Sequence, residues 1–207
     1  GAVIALIDSG VGNIVSVERA ILAAGGEDVR RVTAAGELEG ASRIVFPGQG
    51  AFPPAAAWLA ERGLDQALRE RIAAGTPYLG ICLGMQLLFS DSEEGCVGGA
   101  TTPGLGVLHG HVRRLVASKL PHTGWDRVMR APPAFGAATA QDLGHMYFVH
   151  SYGVWPFEAC CGEVLVSWHE RRSFLAGLHW GRNLVTQFHP EKSGKAGLAL
   201  IAEWVRL

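Results

Sequence analysis

Cys82 stands in Gly80-Ile81-Cys82-Leu83-Gly84, the pattern G-x-C-x-G. This is the thiol counterpart of the G-x-S-x-G nucleophile elbow. A sharp turn from strand to helix forces the central residue into strained backbone angles and lifts its side chain clear of the sheet. Side chains two residues before and after would collide with such a turn, and both positions are glycine here. The helix that follows would aim free N–H groups and a positive dipole end at the sulfur, favouring thiolate. The Leu83 N–H would face any oxyanion formed at the nucleophile. The same pentapeptide also fits a buried structural cysteine in a glycine-containing turn. Nucleophilic chemistry therefore requires a base elsewhere in the chain.

The candidate base is His189, in Gln187-Phe188-His189-Pro190-Glu191. A strand that ends in histidine sets the imidazole at the C-terminal edge of a sheet, where a strand-to-helix elbow also lies. Glu191, two residues on and past a rigid proline, can turn back to orient the ring. Together they make Cys-His-Glu: nucleophile, proton shuttle and orienting carboxylate. A surface His-Pro turn with a solvated glutamate is the plainer reading of the tripeptide. Pro47-Gly48-Gln49-Gly50 follows another apolar run and offers a second wall. Main-chain N–H groups of Gln49 and Gly50 could meet a developing oxyanion there after a peptide flip, although an ordinary strand-to-helix turn fits as well.

The elements needed to hold these residues can be read in the first half of the chain. Val3–Ile7 is an unbroken apolar run, as expected of a central strand buried on both faces. After Ser9-Gly10-Val11-Gly12-Asn13, residues Ile14, Val17, Ile21 and Leu22 recur at helical spacing until Gly25-Gly26. That strand, glycine turn and helix lack G-x-G-x-x-G, so a dinucleotide site is not expected. Val29–Val32 and Arg43–Phe46 read as strands, Pro54–Glu61 and Leu64–Ala74 as helices, and Tyr78–Ile81 as the elbow strand leading into a helix over Gly84–Phe89. This alternation predicts a parallel sheet with helices on both faces. Beyond Phe89 the pattern becomes mixed and partly antiparallel. Strands are expected at Gly106–Leu108, His111–Leu115, Met146–Val149, Glu163–Trp168, Phe174–Leu178 and Val185–Phe188, with a closing helix over Ala196–Val205.

At 207 residues, without repeat or linker, the chain is read as one domain spanning residues 1–207. A net charge of −1 with no basic block gives no support for nucleic-acid or anionic-membrane binding. No apolar run approaches a membrane span, and with the first strand beginning at Ala2 no leader is expected. Cys82, Cys96, Cys160 and Cys161 form no C-x-x-C pair, and the adjacent Cys160 and Cys161 suit a disulfide poorly. The eight histidines show no metal-ligand spacing. A reduced, cytoplasmic protein without metal or cofactor is expected, with Cys96, Cys160 and Cys161 structural.

With these pieces in view, Leu79–Gln86 and Gln187–Glu191 resemble the two signature motifs of the class I (triad) glutamine amidotransferases. The remaining motifs are similar to those of one branch, the glutaminase subunits of the imidazole glycerol phosphate synthases. They are Ser9–Ile14, Pro47–Phe52, Ser92–Gly95, Pro121-His122-x-Gly124-Trp125, Tyr147–Tyr152 and His189–Gly194. The resemblance runs from end to end. It implies a flavodoxin-like α/β fold with an additional, partly antiparallel sheet, and hydrolysis of L-glutamine through a glutamyl thioester on Cys82. It further implies an oxyanion hole at Leu83, Gln49 and Gly50, and glutamine contacts at Gly50, Gln86, Glu94, Ser151 and Tyr152. The implied partner is a (β/α)₈-barrel cyclase subunit that receives ammonia, with Asn13, His122 and Trp125 near the interface and ammonia passage. Three positions depart from the family pattern: Ser9 for Tyr, Gln49 for Val, and Asp126 for Asn. Other amidotransferase subunits, a cysteine hydrolase acting without a partner and a non-catalytic binding module are the alternatives.

Overall fold

The computed structural model describes residues 2–132, 139–158 and 161–207; Cys160 lies outside them. Five strands form the parallel half: β1 (Ile4–Ile7), β2 (Val29–Val32), β3 (Arg43–Gly48), β4 (Tyr78–Cys82) and, far along the chain, β13 (Asn183–Thr186). Their spatial order is β2-β1-β3-β4-β13, with each neighbouring pair parallel. That is the flavodoxin-like order, in which ligands gather beyond the carboxyl ends of the strands.

Helices cover both faces because the strands are apolar on both. Alternate residues Ile4, Leu6, Val45, Leu79 and Ile81 pack with Val17 and Ile21 of α1 (Ile14–Ala23), and with Leu200, Ile201 and Trp204 of α5 (Gly194–Arg206). The intervening Ala5, Ile7, Ile44, Phe46 and Tyr78 pack with Phe52 and Leu59 of α2 (Phe52–Glu61), and with Leu64, Leu68 and Ile72 of α3 (Leu64–Ala73). This is the period-two arithmetic of a strand feeding two cores at once.

The short α4 (Leu83–Gln86) follows β4 without a break. Sequence periodicity predicts a helix to Phe89, but the structure ends it at Gln86. The Leu88 and Phe89 N–H groups bond to carbonyls three residues back, and the Leu87, Leu88 and Phe89 carbonyls accept from Leu105, Leu108 and Gly106 instead of continuing the helix. The same bonds explain why Gly106–Leu108 is not the expected strand: its Gly106 and Leu108 donors are spent on this turn.

The second half extends the sheet with antiparallel strands. β12 (Arg172–Trp180) pairs on one side with β13 and with β10 (Tyr152–Val154), and on the other with β11 (Glu163–His169). Beyond β10 lie β7 (His111–Arg114), β5 (Asp91–Ser92) and β6 (Thr102–Pro103). Beyond β11 comes the long hairpin of β8 (His122–Ala131) and β9 (Gln141–His150). Neither β8 nor β10 was legible as a strand in the sequence, and β9 begins five residues before the expected start. No helix among the described residues is long and apolar enough to cross a membrane.

Candidate active site

β4 delivers Cys82 to the C-terminal edge of the parallel sheet at φ +55° and ψ −110°. A non-glycine residue in that region is strained, and such strain marks a position held by its surroundings. The elbow glycines are required by backbone, not by side chains. A Cβ on Gly84 would run into the Phe46 carbonyl oxygen, and one on Gly80 would meet the Gly84 carbonyl oxygen. The Tyr78 hydroxyl, beneath the turn, donates to the Gly84 carbonyl at 2.7 Å. Gly48 of β3 pairs directly with Cys82, which sets Gln49 and Gly50 beside the nucleophile. Because α4 is only four residues long, little macrodipole can accumulate behind the sulfur, and individual donors must do what the sequence reading assigned to a helix end.

His189 leaves the edge just past β13, its N–H bonded to the Tyr147 carbonyl at 2.9 Å. Its Nδ1 lies 2.7 Å from Glu191 Oε1, and both side chains are almost fully buried. Its Nε2 closes no tight hydrogen bond among the described residues, with the Cys82 thiol near enough to interact with it. Burial alone would lower the His189 pKa; hydrogen bonding to Cys82 and Glu191, together with their charges, outweighs it and raises the value to about 9. An imidazolium poised beside a thiol can hold thiolate and then donate a proton to a leaving group.

A cavity of about 290 Å³ opens over these groups, lined by Gln49, Gly50, Cys82, Leu83, Gln86, Glu94, Ser151, Tyr152 and His189 among others. It thus gathers the nucleophile, the histidine and every residue named for oxyanion or glutamine contact. Gly50, at φ +98°, occupies a backbone region that favours glycine. The Gln49 side chain lies against Gly12, where an added Cβ would come within 2.9 Å of its Oε1. Glu94 accepts from the Phe52 N–H at 2.9 Å, capping α2; burial raises its pKa although that bond pulls the other way. Cys96 is a free thiol whose sulfur sits 3.6 Å from the Glu94 carbonyl and 3.5 Å from Thr102 Oγ1.

Val11, Val149 and His150 also line the cavity, although sequence reasoning did not single them out. His150 is the most informative of them. Its Nδ1 meets the Tyr152 carbonyl at 2.9 Å, and its Nε2 meets His122 Nδ1 at 2.8 Å. A carbonyl can only accept, so His150 carries its hydrogen on Nδ1 and takes one from His122. His122 Nε2 in turn lies 2.5 Å from Asp126 Oδ2. Burial lowers the pKa of both histidines, that of His150 to about 3.

The residues assigned to a partner face are spread out. Asn13 is exposed and caps α1 by accepting from the Ser16 N–H. His122 is 1% exposed, placed inside rather than on the surface. Trp125 is 54% exposed and packs edge-on against Tyr147. Among the described residues no three His, Cys, Asp or Glu side chains converge as a metal site.

The family model for glutamine amidotransferase class-I matches residues 5–205. The chain is 41% identical over 207 residues to imidazole glycerol phosphate synthase subunit HisH of Symbiobacterium thermophilum, covering 99% of this chain and 93% of that one. It is 38% identical to the HisH subunit of Synechococcus sp. strain JA-3-3Ab, over 98% of this chain and 92% of that one. It also matches imidazole glycerol phosphate synthase hisHF of Arabidopsis thaliana at 36% identity, over 99% of this chain but 34% of the plant protein. Among solved structures, PurLQS from Thermotoga maritima aligns with a TM-score of 0.73 at 15% identity, over 99% of this chain and 97% of that one. The elbow, the His-x-Glu turn and full-length similarity converge: the chain belongs to the class I glutamine amidotransferases, within the HisH family of imidazole glycerol phosphate synthase subunits.

Proposed function

We propose that the chain acts as one glutaminase domain that hydrolyses L-glutamine on Cys82 and passes ammonia to a cyclase subunit in histidine biosynthesis. The observation that carries this reading is the convergence of Cys82 and His189 on one cavity, with Glu191 bonded to His189 Nδ1 from behind at 2.7 Å and the His189 pKa raised to about 9 between the two. The Cys82 thiolate attacks the side-chain amide carbon of glutamine, and the carbonyl electron pair moves to oxygen. The oxyanion is met by the Leu83 N–H and by main-chain donors at Gln49 and Gly50. As the tetrahedral species collapses, His189 gives its proton to the departing nitrogen, and ammonia leaves a glutamyl thioester. Neutral His189 then takes a proton from water, the hydroxide adds to the thioester, and thiolate departs as glutamate forms. Glu191 holds the ring through Nδ1 and stabilises its charged form. Gly50, Gln86, Glu94, Ser151 and Tyr152 hold the substrate.

The partner is a (β/α)₈-barrel cyclase subunit, and both work in the cytoplasm. A fused plant relative, named hisHF, supports such a pairing. Trp125 supports its placement, because its neighbour Tyr147 holds the His189 backbone, so a subunit covering Trp125 would bear on the β9 carbonyl to which the base is bonded. Asn13 completes the partner-facing set, while His122 lies beneath it. The test is glutaminase turnover, alone and with the barrel subunit and its nucleotide substrate, for wild type and Cys82→Ala. Low turnover that rises with the liganded partner and vanishes in the variant is expected. Turnover indifferent to the partner would remove the pathway, and turnover surviving in Cys82→Ala would remove the nucleophile.

A further inference from the structure

The Cys82 sulfur has a hydrogen-bond donor that neither the elbow nor the triad supplies. Gln187 Nε2 lies 3.6 Å from Cys82 Sγ, and Gln187 is completely buried. Its backbone is fixed by the bond from its N–H to the Ala176 carbonyl at 2.8 Å. Its side chain is fixed by Gln86, whose Nε2 lies 2.9 Å from Gln187 Oε1 and 3.0 Å from the Tyr152 carbonyl.

The direction of this chain follows from chemistry alone. The Tyr152 carbonyl can only accept, so the nitrogen of Gln86 must face it. The same nitrogen reaches Gln187, so the oxygen of Gln187 must face Gln86. Its own nitrogen is left facing the sulfur. One main-chain carbonyl thus orients two buried amides in series and ends on the nucleophile.

We infer that Gln187 is a positioning residue for the nucleophile, donating Nε2–H to the Cys82 thiolate, with Gln86 as the residue that locks its amide in that direction. The inference rests on the nucleophilic role of Cys82 proposed above. A thiolate is a far better acceptor than a thiol, so donation favours the attacking form. It also favours the departing sulfur when the thioester is hydrolysed. Both Gln86 N–H bonds are committed within the protein, so its side chain meets glutamine through Oε1.

Alkylation of Cys82 by iodoacetamide, followed across pH by peptide mass without glutamine or partner, tests this apart from turnover. Gln187→Leu is expected to slow alkylation about tenfold at neutral pH, as for the loss of one charge-assisted hydrogen bond, with the rate recovered at high pH. Gln187→Glu still accepts from Gln86 but brings a negative charge instead of a hydrogen to the sulfur, and slows alkylation further. A purely structural role would lower the melting temperature and leave the pH profile where it is. Wild-type rates at every pH in either folded variant would overturn the inference. In wild-type protein the Gln187 side-chain amide protons should shift in NMR spectra when Cys82 is alkylated, and an unmoved signal would overturn it equally. Wild-type Cys82 reacting no faster than Cys96 would overturn both the inference and the nucleophile reading beneath it.

Discussion

His189 has its pKa raised to about 9 because interactions with Cys82 and Glu191 outweigh the burial that would otherwise lower it. The Glu191 carboxylate supplies one of them at 2.7 Å. Glu191→Gln keeps an oxygen that can accept from Nδ1 but removes the charge. It is expected to cut kcat by about 10³–10⁴-fold, against roughly 10⁶-fold for Cys82→Ala. It should also move the alkaline fall of the rate, set by loss of the His189 proton, from near pH 9 to lower pH. Steady-state turnover across pH checks both, and equal residual rates for the two variants would refute the division of roles. These three residues were legible because each sits in a short local pattern. Gln187 was equally visible in the same pentapeptide, yet its role was not. That role depends on an amide 101 positions away and on the Tyr152 carbonyl that orients it.

Elements divide by whether their bonds are local. The β4–α4 elbow could be read from the pentapeptide because Gly80 answers to the Gly84 carbonyl within the same turn, although Gly84 itself answers to β3. Gly84→Ala would drive a methyl into the Phe46 carbonyl oxygen, and β3 and β4 would have to part. A loss of about 3 kcal/mol or more is expected in urea unfolding, at the upper end for overpacking. Gly36→Ala is the control: nothing lies within 4 Å of the added carbon and its φ is ordinary, so stability should stay level or rise by about 0.4–1 kcal/mol. Equal losses at the two positions would show that the close approach is not what fixes Gly84. By contrast, β8 shows no clean alternation, running buried, exposed and half-buried along its length, and its pairing with β9 shifts register between Arg127 and Met129. Without period two, a strand is defined only by the partner it finds. Gly106–Leu108 misled for the complementary reason: an apolar triplet resembles a strand, but its Gly106 and Leu108 donors go to the turn after α4.

Across the whole molecule, the parallel half was legible as a sheet with helices on both faces, while the antiparallel half was legible as strands near β7, β9, β11 and β12 but not in its pairing: β12 meets β11 and β13 through tight turns, whereas its pairing with β10 and that of β11 with β8 are long-range. The two halves meet at the cavity where the Tyr152 carbonyl accepts from Gln86, and the chain from Asp126 through His122 and His150 ends on that same carbonyl. The link ends on the Asp126 side chain. His150 faces His122 from β8, His169 from β11 and the raised His189, and it stays neutral. An unfolded His150 takes up a proton near pH 6.5, and the folded one only near pH 3. Between those values the unfolded chain binds more protons, so stability rises with pH and is lost on acidification, by up to about 1.4 kcal/mol per pH unit from this group alone. Urea unfolding at pH 6.5 and 4.5 should therefore show a smaller acid loss in His150→Asn than in wild type, whatever the variant's stability at neutral pH. The comparison subtracts the carboxylates that titrate in both proteins. An identical acid loss would mean that His150 is protonated in the folded state, and that the link to Tyr152 is made differently.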